Sequence, residues 1–117
     1  SLLYELGRIS FVLEYYDASK KYFRELETGI GIGHRLRFRP RHPILNESGS
    51  RRDFEGSIIK IFAYDEGEIR CETLRNLKYP LSFRPVACKF TPVVGDRVRF
   101  HISFTYRGPR AENIRKI

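Results

Sequence analysis

The run RVRFHISFTY, residues 97–106, constrains the fold most: Val98, Phe100 and Ile102 alternate with Arg97, Arg99 and His101. Successive side chains of a strand point to opposite faces, so this pattern describes an extended segment with one buried side. Comparable runs rich in Val, Ile, Phe and Tyr recur along the chain, broken by Gly or Pro every ten residues or so. Strands are predicted at Gly7–Tyr16, Lys21–Leu26, Arg35–Arg39, Ser57–Tyr64, Glu68–Thr73, Leu81–Phe83 and Arg97–Tyr106. Almost nothing reads as helix. YYDASK and YDEGE carry turn chemistry between two strands and predict hairpins. RPRHPILNESGSRRDF is the longest irregular stretch and reads as a linker or long loop. The expected fold is all-β, a small barrel or sandwich of short antiparallel strands.

An internal echo bears on domain organisation. GRISFV (7–12) resembles GSIIKIF (56–62), and GHRLRF (33–38) resembles GDRVRF (95–100), in the same order. Two related β-modules packed together are one expectation, residues 1–54 forming the smaller and 55–117 the fuller one. A single elaborated barrel is the other. With 41% hydrophobic residues in 117, the chain can bury a core without disulfides. Cys71 and Cys88 sit in apolar runs and read as buried free thiols, which favours a reducing, intracellular setting, cytoplasmic or nuclear. No metal-ligand spacing accompanies them. No apolar run reaches the length of a membrane span. The chain opens inside the apolar run SLLYEL without an initiator Met, so a longer native protein is expected.

The second half resembles a cold-shock domain, a five-stranded barrel of the OB type. VGDRVRF is similar to the start of that family's fourth strand, with the turn at Gly95-Asp96. GPRAENI is similar to its closing strand, which implies that Ala111 and Ile114 face the core and that Asn113 fixes the strand end. The resemblance covers Glu55–Ile117 and reaches 1–54 only through the echo. Family members grip single-stranded bases with rings projecting from the sheet, and this sequence departs at those places. Lys60-Ile61-Phe62 matches Lys-Trp-Phe, with Ile61 where the stacking Trp would be. Over Glu66–Cys71, Ile69 and Cys71 stay inward while Glu68 and Arg70 replace two projecting Phe. Over Leu81–Arg84, Ser82 and Arg84 take the outward positions. The resemblance thus implies an intact barrel whose stacking platform has been exchanged for ions. Degenerate domains of this kind occur in RNA-regulatory proteins as spacers, backbone contacts or docking modules.

The net charge of +8 suits nucleic acid or an acidic protein. It is spread along the chain, with a notable row in GHRLRFRPRH: Arg35, Arg37, Arg39 and Arg41 alternate with Leu36, Phe38 and Pro40. Arginines on an edge strand also block edge-to-edge pairing. Four on one face, followed by Arg51 and Arg52, exceed that need, and the planar guanidinium pairs bidentately with phosphate or carboxylate. The row itself does not choose between those two anions. Lys20 and Lys21 lie beside Tyr15 and Tyr22, a mixture of base and aromatic suited to single strands. Arg70, Arg84 and Glu68 share a sheet face that is either an ion-pair cluster or a charged docking surface; Lys60 joins the candidate contacts from the first strand. Arg97, Arg99 and His101 read as an ordinary solvated face. GIGIG (29–33) lacks the Lys-Ser/Thr and the helix of a phosphate loop and reads as a turn.

His34, His42 and His101 are scattered, each close to arginine, and no nucleophile–base set accompanies them. Enzymatic activity, a cofactor, a metal, a small-molecule substrate and a membrane are therefore not expected. The leading expectation is non-catalytic binding of RNA or single-stranded DNA within a larger RNA-regulatory factor. Its grip would rest on arginine–phosphate contacts with weak sequence preference. The rival is a protein–protein scaffold that docks an acidic partner or peptide.

Overall fold

The computed structural model describes residues 1–29 and 39–117. Five strands form a closed barrel: β1 (Phe54–Ala63), β2 (Glu66–Cys71), β3 (Leu81–Phe83), β4 (Arg97–Thr105) and β5 (Gly108–Lys116). Their order around the barrel is β1-β2-β3-β5-β4, compatible with an OB-like barrel. All pairings are antiparallel except β3 with β5, where Ser82 faces Arg110 in parallel.

Alternation in the sequence becomes the inside of this barrel. Phe54, Ile58, Ile69, Leu81, Phe83, Val98, Phe100 and Ile102 are each no more than 1% exposed. Each such side chain contributes about 1.5–3 kcal/mol by leaving water. Ile69 and Cys71 point inward as expected, and Ala111 is buried with Ile114 packed against the core. Cys88 is only half-buried, and both thiols are free. The β1–β2 hairpin turns at Tyr64-Asp65, and Gly95 makes the turn before β4 with a φ of 101°. Asn113 interrupts β5 with a left-handed φ of 49°, a conformation asparagine tolerates better than most residues.

The N-terminal third departs from the all-β expectation. Residues predicted as strands 7–16 and 21–26 belong to two helices, α1 (Leu2–Val12) and α2 (Tyr16–Gly29). Buried Tyr4, Gly7 and Phe11 on α1, and Tyr16, Ser19, Phe23 and Leu26 on α2, recur at three- and four-residue steps. That is helical spacing. YYDASK opens α2 rather than turning a β-hairpin, and GRISFV lies in α1 while its echo GSIIKIF lies in β1. α1 ends in a Schellman motif: Tyr15 N–H reaches the Ser10 carbonyl and Glu14 N–H that of Phe11, with Glu14 left-handed at φ 66°. Gly7 lets the helices touch, since a Cβ there would lie 2.8 Å from the Phe23 ring. The Ser19 hydroxyl, fully buried, donates to the Gly7 carbonyl at 2.7 Å.

Helices and barrel share one core. Phe104 of β4 meets Phe11 edge-on at 5.5 Å and stacks on Phe23 at 6.2 Å. Tyr4 packs on Tyr106 at 4.9 Å and reaches His42 Nδ1 with its hydroxyl at 2.8 Å. The stretch expected as a linker is hydrogen-bonded along β4 beyond the reach of β1: Arg41 exchanges both backbone bonds with Phe104, and Ile44 N–H bonds the Ile102 carbonyl. Its tip is an Asx turn in which Asn46 Oδ1 accepts from the backbone of Ser48 and Ser50. This arm and the helices explain why Ile102 through Thr105 are all buried.

Candidate nucleic-acid interface

The outer side of β1, β2 and β3 is built by pairing. Lys60 lies opposite Glu68, Glu68 opposite Ser82, and Ser57 opposite Arg70. Opposed residues of an antiparallel pair share a face, so Lys60, Arg70 and Ser82 stand outward, with Arg84 one alternation further on. All four are exposed and Glu68 is half-exposed. Among the described residues Lys60, Arg70 and Arg84 enter no ion pair.

One aromatic belongs to this face. The β1–β2 register slips between Ile58 and Lys60 and again between Ile61 and Ala63. The first slip reverses the alternation set by Phe54, Gly56 and Ile58. Ile61 then lies opposite inward-facing Gly67, and Phe62 joins Lys60 outside, the Lys60 ammonium 5.9 Å from its ring centre. Ile61, although opposite Gly67, is itself 37% exposed. Phe62 is 57% and Tyr64 74% exposed. Gly67 has no room for a side chain, because a Cβ would collide with the Phe83 ring and lie 2.9 Å from the Lys60 carbonyl oxygen. The absent side chain lets the bulged strand close on β2.

A second basic face lies on β4, and it is paired. Arg97 binds Glu72 in a fork at 2.7 and 2.6 Å, and Arg99 binds Glu55 at 2.8 Å. Arg115 reaches Asp53 at 2.6 Å, and His101 Nε2 lies 3.0 Å from the same carboxylate. These cations hold the Asp53 and Glu72 carboxyls below their ordinary range, the Arg115 and Arg97 hydrogen bonds being the leading causes. The expected solvated face is an ion-pair ladder.

The remaining candidates are distributed. Arg35 and Arg37 lie outside the described residues, as do all of the predicted strand Arg35–Arg39 but its last residue, GHRLRF and nearly all of GIGIG. Arg39 is exposed. Arg41 lies over the Tyr106 ring at 4.5 Å and Arg52 over Phe54 at 4.7 Å, while Arg51 is exposed. Lys20 lies 5.1 Å from the Tyr79 ring centre, and burial pushes the Tyr79 hydroxyl up to about 12. Lys20, Arg24, Tyr79, Ser82 and Arg107 line a cleft that leads from α2 to β3. Lys21 and Tyr15 are exposed and Tyr22 is half-buried. Phe62 was missed as a site residue because a bulge reverses its direction, and Tyr64 because it lies in the β1–β2 turn rather than in the predicted strand Ser57–Tyr64. The one sequence signal available was the extra residue in IIKIFAYDEGE relative to strict alternation.

Among the described residues no group of His, Cys, Asp and Glu converges on a metal position. No described helix is long and apolar enough to cross a membrane. Comparison with known proteins finds no match: no family model, no curated protein and no solved structure matches the chain.

Proposed function

We propose that this protein binds RNA or single-stranded DNA without catalysis, as a non-standard cold-shock module of a larger RNA-regulatory factor. The outer face of β1–β3 would be the contact surface. One observation carries the reading: Lys60, Arg70 and Arg84 stand exposed on one outer face without ion pairs among the described residues, and the exposed Phe62 ring lies next to Lys60. Cations not already neutralised release counterions when phosphate arrives, which gives steep salt dependence and little sequence preference. One ring stacks on any base. Arg39, Arg51, Lys20 and Lys21 are exposed and would add further phosphate contacts.

A protein-docking reading has its own support in α1, which carries Leu2, Ile9 and Leu13 exposed opposite its buried side. Titration of labelled single-stranded RNA and DNA at roughly 50 and 200 mM salt separates the two. Binding at the lower salt that weakens in Arg70→Ala/Arg84→Ala supports the nucleic-acid reading. No binding at the lower salt overturns it and leaves the scaffold.

A further inference from the structure

We propose that the cleft between the helical hairpin and the barrel is a binding site for a nucleoside monophosphate group, distinct from the outer face of β1–β3. The cleft holds about 350 Å³, within the size range of small-ligand sites. Val12 of α1, Ile44 of the arm and Leu74 after β2 present its apolar wall, backed by the buried Phe11 and Phe54 rings. Such a wall accepts the flat face of a base.

The polar groups around that wall are of three kinds. Arg52 and Arg75 line the cleft, are exposed and enter no ion pair among the described residues. Arg52 lies with its guanidinium carbon 4.7 Å from the Phe54 ring centre, a stacked position that leaves its N–H groups available. Two uncommitted guanidiniums at one cleft suit a phosphate, which accepts their paired N–H bonds. Tyr16, 6% exposed, also lines the cleft, and its hydroxyl has no hydrogen-bond partner. Glu14 and Arg52 of the cleft act on that hydroxyl, as does the buried Cys71 thiol. Buried polar atoms are nearly always satisfied, and the edge of a bound base would supply the partner. Glu14 itself is the cleft's carboxylate; it accepts from ribose hydroxyls or a base amino group and opposes a ligand that is only an anion.

Phosphate donors, an apolar wall, and a hydroxyl beside a carboxylate match the three parts of a nucleotide. The group would come either as a free mononucleotide or as the phosphorylated end of an RNA strand. The inference stands apart from the binding proposed for β1–β3, and the experiment separates their failures. Uridine and adenosine monophosphates are titrated into the intact protein at low salt and followed by NMR. Uridine, inorganic phosphate, and matched short RNAs with a 5′-phosphate or a 5′-hydroxyl form the other arms. Expected are shifts at Tyr16 and Phe54 with either monophosphate, stronger than with uridine or phosphate alone. Arg75→Ala and Tyr16→Phe should each weaken that binding about tenfold, while Arg70→Ala/Arg84→Ala leaves it unchanged. Arg75 is exposed, so its variant tests the site without disturbing the core. A preference for 5′-phosphorylated over 5′-hydroxyl RNA, with weaker free nucleotide, assigns the site to strand ends. Equal affinity for the free nucleotide assigns it to mononucleotides. No shift at Tyr16 and Phe54 with any phosphorylated arm, or full binding by Arg75→Ala and Tyr16→Phe together, overturns the inference.

Discussion

β4 and the β1–β3 face carry basic residues at the same two-residue spacing, yet the structure treats them in opposite ways. Arg97 and Arg99 sit across from Glu72 and Glu55 and are occupied. Lys60, Arg70 and Arg84 share their face with Glu66 and Glu68, and Arg70 acts at longer range on Glu72, yet none of the three forms an ion pair within the described residues. Cross-strand neighbours, not the number of arginines, decide which face remains open to an anion. A polyanion approaching β4 must first displace bound carboxylates; one approaching β1–β3 meets cations that no carboxylate holds in an ion pair within the described residues.

The comparison can be tested from its strongest consequence downward. Phe62→Ala removes one of the two exposed rings, Phe62 and Tyr64, at the end of β1 and should cost single-stranded RNA binding about 1–3 kcal/mol, the value of one stacked base. Equilibrium titration measures it, and an unchanged affinity would leave only charge on that face. Arg70→Ala/Arg84→Ala should lower the slope of log affinity against log salt by about 1.4, two phosphate contacts on a single strand. Arg97→Ala/Arg99→Ala should leave that slope nearly unchanged, and an equal drop would erase the distinction between the faces. A smaller effect runs the other way. Glu55→Gln/Glu72→Gln frees the β4 arginines and should raise RNA affinity a few-fold, visible in the same titration.

The mildest consequence is one of pH. Asp53 and Glu72 have carboxyls lowered in the folded protein by their arginine partners, so the native state binds fewer protons than the unfolded chain. Their stabilisation is complete above the ordinary carboxylate range and is lost as pH falls through the lowered values. Melting temperature should decline on acidification below about pH 4. Asp53→Asn/Glu72→Gln should flatten that decline, whereas Lys60→Ala/Arg84→Ala should not.

The barrel was legible because its strands alternate over long enough runs to have one consistent inner side, as Val98, Phe100 and Ile102 do. Ile69 and Cys71 followed from the same logic, whereas the inward Ala111 was expected only from the resemblance of GPRAENI to a closing strand. The helices were hidden by two small residues. Gly7 and Ser19 occupy core positions of α1 and α2, interrupting the apolar stripe that announces a helix. Ile9, Phe11 and Val12 meanwhile supply strand-like local composition. The true period was carried by Tyr16, Ser19, Phe23 and Leu26, but only if a buried serine is admitted as an inward residue. Its inward position depends on the Gly7 carbonyl, a contact made in tertiary structure. Phe62 was illegible for a different reason. A bulge changes which side a residue faces without changing the residue, so alternation counted from Phe54 puts Phe62 inside. The pairing of Arg97 with Glu72 likewise depends on β1, β2 and β4 being adjacent, which no local pattern specifies.

Phe104, held between Phe11 and Phe23, has a thermodynamic consequence. Neither the helices nor the sheet can open without exposing a ring that belongs to both, so the two parts melt cooperatively. Heating should yield one calorimetric peak, and amides of α2 should exchange with solvent about as slowly as those in the middle of β4. A chain trimmed of its first 29 residues would present that ring to water and tend to self-associate.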